Sequence, residues 1–489
     1  MGGMMKRKSP ANHKKTFLLK KHIKCSGTQR LPVLLLLLSL VAAAVPACGK
    51  ASQLPASTMD LTKEYRSGSK KNETVEIGED FARAYCEFSL GLLRDAVNSE
   101  IQTNEVQTSE IQNNEEETIE EETIDAETSG EAADAAQADG TRNLMISPIS
   151  VLQALEMTRI GAGSGTLEQM GMTMYPGMEP EQGRKQLLSW ADGLPSADGA
   201  EMKLANSVWI NTENEQFQPD AEFLKRNALE SGASVYGAPF DEAACKALNQ
   251  WVEQNTDGMV KDILDRIPRE AIMYLVNAAA FDAKWEKPYQ SSQVGKGTFT
   301  REDGSESEVP MMYSMESVFL KGEHAVGFCR PYASGYYFAA ILPEEGWTLQ
   351  EYIRQLDGEA LRNMFTSPAE AAVETALPKF KGESSLELSD TLAGMGMPLA
   401  FDSGLADFSG IGSCEGGNIS ISRILHKTYI EVDELGTKAG AATVVEMEAG
   451  GAYTVTENVI LDRPFLYAIV DKETDLPIFI GIVEDPAAE

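Results

Sequence analysis

At 489 residues and 43% apolar side chains, the chain is long enough for one large or two ordinary domains and has the aliphatic and aromatic content for a core. Its 75 acidic against 42 basic residues leave a net charge of −33, which disfavours nucleic acid and anionic membrane surfaces as partners. There are four histidines, His13 and His22 in a basic leader and His324 and His426 alone beyond it; with no metal-ligand spacing, neither a metal nor a cofactor is expected.

Residues 1–47 hold nine Lys or Arg and no acid, and end in an apolar run of 17 residues, Leu31-Pro-Val-Leu-Leu-Leu-Leu-Leu-Ser-Leu-Val-Ala-Ala-Ala-Val45-Pro46-Ala47. A basic region, an apolar stretch and small residues at its end make a secretion signal, and the run is marginal for a membrane span. A chain starting at Cys48 carries 33 basic and 75 acidic residues, a charge of −42. Two readings of the cleavage zone stand. The small residues before Cys48 resemble a bacterial lipobox, which would lipidate Cys48 and hold the protein on the outer face of a membrane. Val45 and Ala47 also suit ordinary cleavage after Ala47, which would release it.

Residues 48–79 are polar with little periodicity and read as a tether. Over 80–97, Phe81, Ala84, Tyr85, Phe88 and Leu92 share one helical face, with Asp80 as the expected N-cap. Residues 98–140 then carry a five-residue repeat from Glu100 to Glu115 and place fourteen acids and no base between Glu100 and Asp139. Such a run cannot bury enough apolar surface to order itself, so a disordered, solvated insertion is expected, the other reading being an acidic arm for a basic partner. From Arg142 onwards helix- and strand-period patterns alternate without a linker. One α+β domain over 80–489, carrying the insertion 98–140, is expected. Within it, Gly161-Ala-Gly163-Ser-Gly165 lacks the Lys-Ser/Thr of a phosphate loop and reads as a helix C-cap and turn. Cys86, Cys245, Cys329 and Cys414 are widely spaced and read as buried thiols in a core that needs no staples.

The most informative stretch is 434–443, Glu-Leu-Gly-Thr-Lys-Ala-Gly-Ala-Ala-Thr. One alternate set is Thr437, Ala439, Ala441, Thr443, Val445 and Met447; the other, Lys438, Gly440, Ala442, Val444, Glu446 and Glu448, carries all the charges. A period of two fits a strand with one buried face, yet Gly and Ala are too numerous to hold a strand by themselves. This is the composition of a loop that later becomes a strand.

The residues around it carry a family resemblance. His426-Lys-Thr-Tyr-Ile-Glu-Val432 leads in, Arg463-Pro464-Phe465-Leu466 closes the loop, and Ile478-Phe-Ile-Gly-Ile-Val483 ends the fold. Upstream stand Asn143-Leu-Met-Ile-Ser147-Pro148-Ile-Ser150, Ala205-Asn206-Ser-Val-Trp209, Asn249-Gln-Trp251-Val252 with Thr256 and Gly258, Leu275-Val-Asn277-Ala278 with Phe281 and Lys284-Trp285, Leu377-Pro-Lys379-Phe380, and Asp407-Phe-Ser-Gly-Ile411. In this order the motifs resemble the serpin family, most closely its bacterial secreted members.

The resemblance implies an α+β serpin fold of three β-sheets with eight or nine helices and an exposed reactive-centre loop. It implies a monomeric inhibitor that is not itself an enzyme, whose partner is a serine protease held in a covalent complex. The protease cuts one bond of the loop, and the freed side inserts into the central sheet. Glu434, Gly436, Thr437, Ala439, Ala441, Ala442 and Thr443 would be the hinge. Ser147, Ser150, Asn277 and His426 would form a polar cluster where the strands part, and Lys379 and Glu434 an ion pair where insertion starts. Counting from Glu434 puts the cut between Gly450 and Gly451; counting back from Pro464 points to Tyr453. The window also holds Met447, Ala449 and Ala452 but no Arg or Lys, so elastase-like or subtilisin-like targets are favoured over trypsin-like ones, and Tyr453 would suit a chymotrypsin-like one. A non-inhibitory serpin, acting as a substrate or binding protein, is the alternative. An extracellular hydrolase is disfavoured because no Gly-x-Ser-x-Gly elbow occurs.

Overall fold

The computed structural model describes residues 54–66, 74–116, 143–195, 200–212, 217–268, 271–413, 418–437 and 456–488, with backbone alone over 99–116. All described residues lie in one compact unit, within 53–489. Among them are nine α-helices and three sheets, the expected α+β architecture.

The first elements are β1 (Met59–Asp60), α1 (Glu79–Glu116), β2 (Leu144–Ile146) and α2 (Pro148–Arg159). Pro148 starts α2, where a missing N–H costs nothing, and eleven of its twelve residues are buried, so it is a core helix. There follow α3 (Ser164–Met174), α4 (Pro180–Gly193), β3 (Ala200–Asn211), β4 (Gln218–Pro219), α5 (Ala221–Glu230), β5 (Ser234–Ala238) and α6 (Glu242–Asn255). Asp220 and Asp241 cap α5 and α6 by accepting from backbone N–H groups. The middle of the chain is strand-rich: β6 (Met273–Lys284), β7 (Val294–Thr300), β8 (Glu306–Gly322), β9 (Ala325–Pro331) and β10 (Tyr336–Pro343). After α7 (Leu349–Gln355) and α8 (Gly358–Thr366) come β11 (Ala369–Pro378), β12 (Phe380–Glu387), α9 (Ser389–Met395) and β13 (Gly412–Ser413). The last strands are β14 (Arg423–Val432), β15 (Gly436–Thr437), β16 (Glu457–Ile460), β17 (Phe465–Asp471) and β18 (Leu476–Val483).

The central sheet runs β1-β5-β3-β6-β15-β14-β12, with β6 and β14 also paired directly. A second sheet of nine strands runs β16-β11-β8-β9-β10-β17-β18-β2, with β7 on β8; β4 and β13 pair alone. The main core lies between the two large sheets and under α2. A smaller core on the other face of the central sheet packs Trp251 and Val252 of α6 against Trp209, Tyr274 and Val276. Strand β6 is therefore covered on both faces, which explains why its sequence is apolar almost throughout.

Two expectations require correction. Residues 54–66, read as part of a polar tether, instead extend the central sheet. Met59 and Asp60 pair with Gly237 and Tyr236, the Leu61 N–H donates to the Val235 carbonyl at 2.9 Å, and Thr62 is fully buried. The free backbone edge of β5 supplies partners that side-chain polarity does not reveal. Helix α1 starts at Glu79 rather than at an Asp80 cap: the Gly78 carbonyl accepts from Ala82 N–H, and Asp80 sits in the first turn, paired with Arg83. It also continues to Glu116, through the first part of the segment read as disordered. No Gly or Pro stands between Gly91 and Gly130 to stop it; residues 117–142 lie outside the described set.

Cys86, Cys245 and Cys329 are free and buried, and burial raises all three thiols, Cys86 to about 12. Cys414 and Cys48 lie outside the described residues. Among the described residues no helix is long and apolar enough to cross a membrane.

Candidate functional site

The segment expected to act as a hinge starts from a hairpin. Strand β14 ends at Val432, the chain turns at Asp433, and β15 comes back beside it, Thr437 opposite Val432. The Asp433 carboxylate accepts from Leu435 N–H at 2.7 Å and Gly436 N–H at 3.1 Å, and Asp433 N–H donates to the Gly436 carbonyl at 3.0 Å. On its other side β15 pairs antiparallel with β6, Gly436 opposite Lys284 and Thr437 opposite Ala283. The first two strand residues of the hinge are thus already seated between the two middle strands. Thr437 is fully buried, with its hydroxyl 2.6 Å from that of Tyr332.

Gly436 is required here by close approach. A Cβ at this position would stand 2.1 Å from the Ala283 carbonyl oxygen, a backbone atom that cannot move aside cheaply. Gly436→Ala is expected to push β15 out of the sheet and to destabilise the protein by about 1–3 kcal/mol. Denaturant melts, with amide exchange at Thr437, check this; unchanged exchange at Thr437 would refute it.

Around the turn, the Lys379 ammonium pairs with the Glu434 carboxylate, holding the latter below its usual range mainly through that hydrogen bond. Trp285 holds the turn twice, its backbone N–H on the Leu435 carbonyl at 3.0 Å and its indole N–H on the Asp433 carbonyl at 2.8 Å. Tyr289 N–H donates to the Glu434 carbonyl at 2.8 Å. The Trp285 ring stacks on Tyr332 at 4.4 Å.

Further down, a polar row crosses the same strands. Register places Asn206 of β3 opposite Asn277 of β6, and Asn277 opposite His426 of β14. His426 is fully buried, and its Nε2 accepts from Ser147 N–H at 3.0 Å. The proton therefore sits on Nδ1, which donates to Asn277 Oδ1. Asn277 Nδ2 in turn donates to Ser150 Oγ and Asn206 Oδ1, and Asn206 Nδ2 to Gln153 Oε1 at 3.2 Å. Ser147 Oγ donates to the Ile478 carbonyl at 3.0 Å. The network closes with a neutral imidazole, and desolvation lowers its pKa to about 3.

Ser147, Ser150, Asn277 and His426 thus meet in one cluster, Lys379 and Glu434 in another, and Gly436 and Thr437 in the sheet. Ala439, Ala441, Ala442 and Thr443 of the hinge, and Met447, Ala449, Gly450, Gly451, Ala452 and Tyr453 of the cleavage window, lie outside the described residues.

The sequence reading assigned no role to several partners. Asn206 and Gln153 extend the row, and Asp433 with Trp285 shapes the turn. Lys427 was also missed. From β14 its ammonium donates to the Lys261 and Asp262 carbonyls at 2.6 and 3.3 Å and pairs with Glu383 at 2.6 Å. From β3, Lys203 reaches Asp257 at 3.0 Å. Together they hold the segment after α6 across the sheet. A lysine amid a buried strand was the visible sign; the carbonyls it binds are far away in the chain.

Comparison with known proteins agrees with this geometry. Residues 132–486 match the family model described as serpin (serine protease inhibitor). An uncharacterized serpin-like protein of Thermococcus kodakarensis is 30% identical over 362 residues, covering 71% of this chain and 82% of that one. The plasma serine protease inhibitor of Homo sapiens is 30% identical over 363 residues, covering 72% and 86%. Among solved structures, the thermophilic serpin tengpin in its native state matches with a TM-score of 0.75 and 35% identity, covering 88% of this chain and all of that one. A central sheet with a hairpin seated between its middle strands, over a buried Asn–His row, is thus found in a chain that belongs to the serpin family.

Proposed function

We propose that the protein inhibits serine endopeptidases as a suicide substrate, inserting its cleaved loop into the central sheet. The observation that carries this reading is the register of β15. Continued residue for residue, it would bring Ala439 opposite Phe281 and Ile430, Ala441 opposite Ala279 and Thr428, and Thr443 opposite Asn277 and His426. The buried Thr437 marks the inward set, so all inward residues down to the polar row are small and none is charged. A threonine hydroxyl would arrive where the Asn277–His426 bond has to part, and can hydrogen-bond to both sides. The segment to be inserted carries no proline, so it can make every ladder bond.

Magnitudes support the scheme. About a dozen inserted residues, each bond contributing roughly 0.5–1.5 kcal/mol net, gain on the order of 10 kcal/mol, comparable with a domain's stability. At about 3.3 Å per residue the new strand would carry an attached protease some 40–50 Å. A cut at Gly450–Gly451, among small residues, favours elastase-like or subtilisin-like targets, whereas a cut at Tyr453 would suit a chymotrypsin-like one. In this reading the protein is secreted, acts as a monomer, and is held at the outer membrane face through lipidated Cys48.

The test is to mix the mature protein with elastase, subtilisin, chymotrypsin and trypsin, run denaturing gels, and take the mass of the released C-terminal peptide. A band at the summed mass is expected, and the peptide's first residue locates the cut. Clean cleavage that leaves every protease active would replace this reading with a substrate-type serpin.

A further inference from the structure

Behind the hinge turn lies a buried cation that the ion pair and the polar row leave unused. Arg330 of β9 is 6% exposed, and its guanidinium sits 3.8 Å from the Tyr289 ring centroid and 5.1 Å from that of Trp285. It donates to the Lys287 carbonyl and to Ser314 Oγ, the latter at 3.2 Å, and pairs with the buried Glu316 of β8. Residues 285–289 form the bracket whose Trp285 and Tyr289 N–H groups hold the Leu435 and Glu434 carbonyls. Arg330 clasps that bracket from behind, through two rings and one carbonyl, and ties it to the second sheet.

The turn of the β14–β15 hairpin does not have to open for the loop to insert, because insertion lengthens β15 downward from a turn already in place. What insertion needs at the top is a seed that stays put while the strands below it part. We propose that Arg330 is a positioning residue for loop insertion: it fixes the bracket that fixes the turn, and so keeps the first inserted residues in register. A planar guanidinium suits this task, since it stacks on rings and donates in its own plane at once, which a lysine ammonium cannot do. The proposal rests on the trapping reading above.

The test uses the full mature chain. Arg330→Met is made together with Glu316→Gln, so that no buried carboxylate is left unpaired, and Arg330→Lys is made alone. The rate of loop cleavage is expected to stay within about two-fold of the parent, since the seed lies away from the cut bond, while the trapped fraction falls about ten-fold or more. Arg330→Lys is expected not to restore it. A merely structural role would lower the thermal midpoint but leave the partition between trapping and cleavage unchanged, and that result would overturn the proposal. If the parent itself traps no protease, the trapping reading fails on its own. The brace is then read by amide exchange at Leu435, Gly436 and Thr437, expected to speed up about ten-fold or more in the double variant. Unchanged exchange would overturn the brace.

Discussion

Under the proposed trapping mechanism, Ala441→Pro turns the protein from a trap into a substrate: the loop is still cut, but the denaturation-resistant complex disappears. Continued from β15, residue 441 falls opposite Ala279 on one side and Thr428 on the other, in the middle of the strand to be formed. A proline there removes one ladder donor, leaving a buried acceptor unpaired, and places its ring against a neighbouring strand, at up to about 3 kcal/mol for the unpaired group. Trapping is a race between insertion and hydrolysis of the acyl-enzyme. If that cost appears in the insertion barrier, insertion slows by up to roughly a hundred-fold and hydrolysis wins. Because residue 441 lies well before the cleavage window, the first cut proceeds at the parent rate. The measurement is the ratio of trapped protease to cleaved inhibitor on denaturing gels, beside the initial cleavage rate. Trapping at parent efficiency would mean that this loop does not insert as drawn.

The second large effect is an acid sensitivity set by one histidine. His426 accepts from Ser147 N–H through Nε2, so a second proton would have to face a donor in a site without water contact. Its folded pKa is about 3 against an ordinary 6.5. A base with a depressed folded pKa contributes no pH dependence above the unfolded value. Below it the unfolded chain takes up a proton that the native state refuses, so stability falls as pH drops from about 6.5 towards about 3. The loss amounts to about 2 kcal/mol by pH 5 and on the order of 4–5 kcal/mol over the full range. Burial also raises some carboxylates, Glu156 among them, so denaturant melts between pH 7 and pH 5 isolate the effect by comparing parent and variant. His426→Gln is expected to be less stable at neutral pH and to lose the slope across this window. An equal slope in parent and variant would show that His426 does not drive it.

The two effects act on one strand pair: continued from β15, residue 441 falls two register positions above Asn277 and His426. In the described state β6 and β14 pair directly below β15, from Ala280–Tyr429 down through Asn277–His426 to Tyr274–Arg423. A hydroxyl at residue 443 would arrive at Asn277 and His426 last among the small inward residues. Under the proposed insertion, the hinge alternation would supply what enters and the polar row what gives way.

Much of this was legible along the chain. The two-residue period over 437–447, the small inward set and the absence of proline describe a segment able to become a strand, because side-chain alternation and backbone donors are local properties. The motif order from Ser147 to Val483 pointed to the fold class and to Ser147, Ser150, Asn277, His426, Lys379 and Glu434. Local chemistry was less reliable where a partner decides the outcome. Residues 54–66 look like a tether until the open edge of β5 is beside them. Helix α1 runs on to Glu116 because nothing in its sequence stops it, despite the charge that argued for disorder.

Sequence alone determined the composition of the insertable segment, the strand and helix periods, and the family pattern, since each depends on neighbours in the chain. Tertiary structure alone decided that Thr437 is already in the sheet, that the histidine proton lies on Nδ1, and that Arg330 stacks behind the turn. Those facts rest on groups distant in the chain, from 41 residues for Tyr289 and Arg330 to 279 for Ser147 and His426, meeting in a buried, weakly solvated space. There a hydrogen bond or a charge is decided by which partner the fold delivers, and no local pattern encodes that.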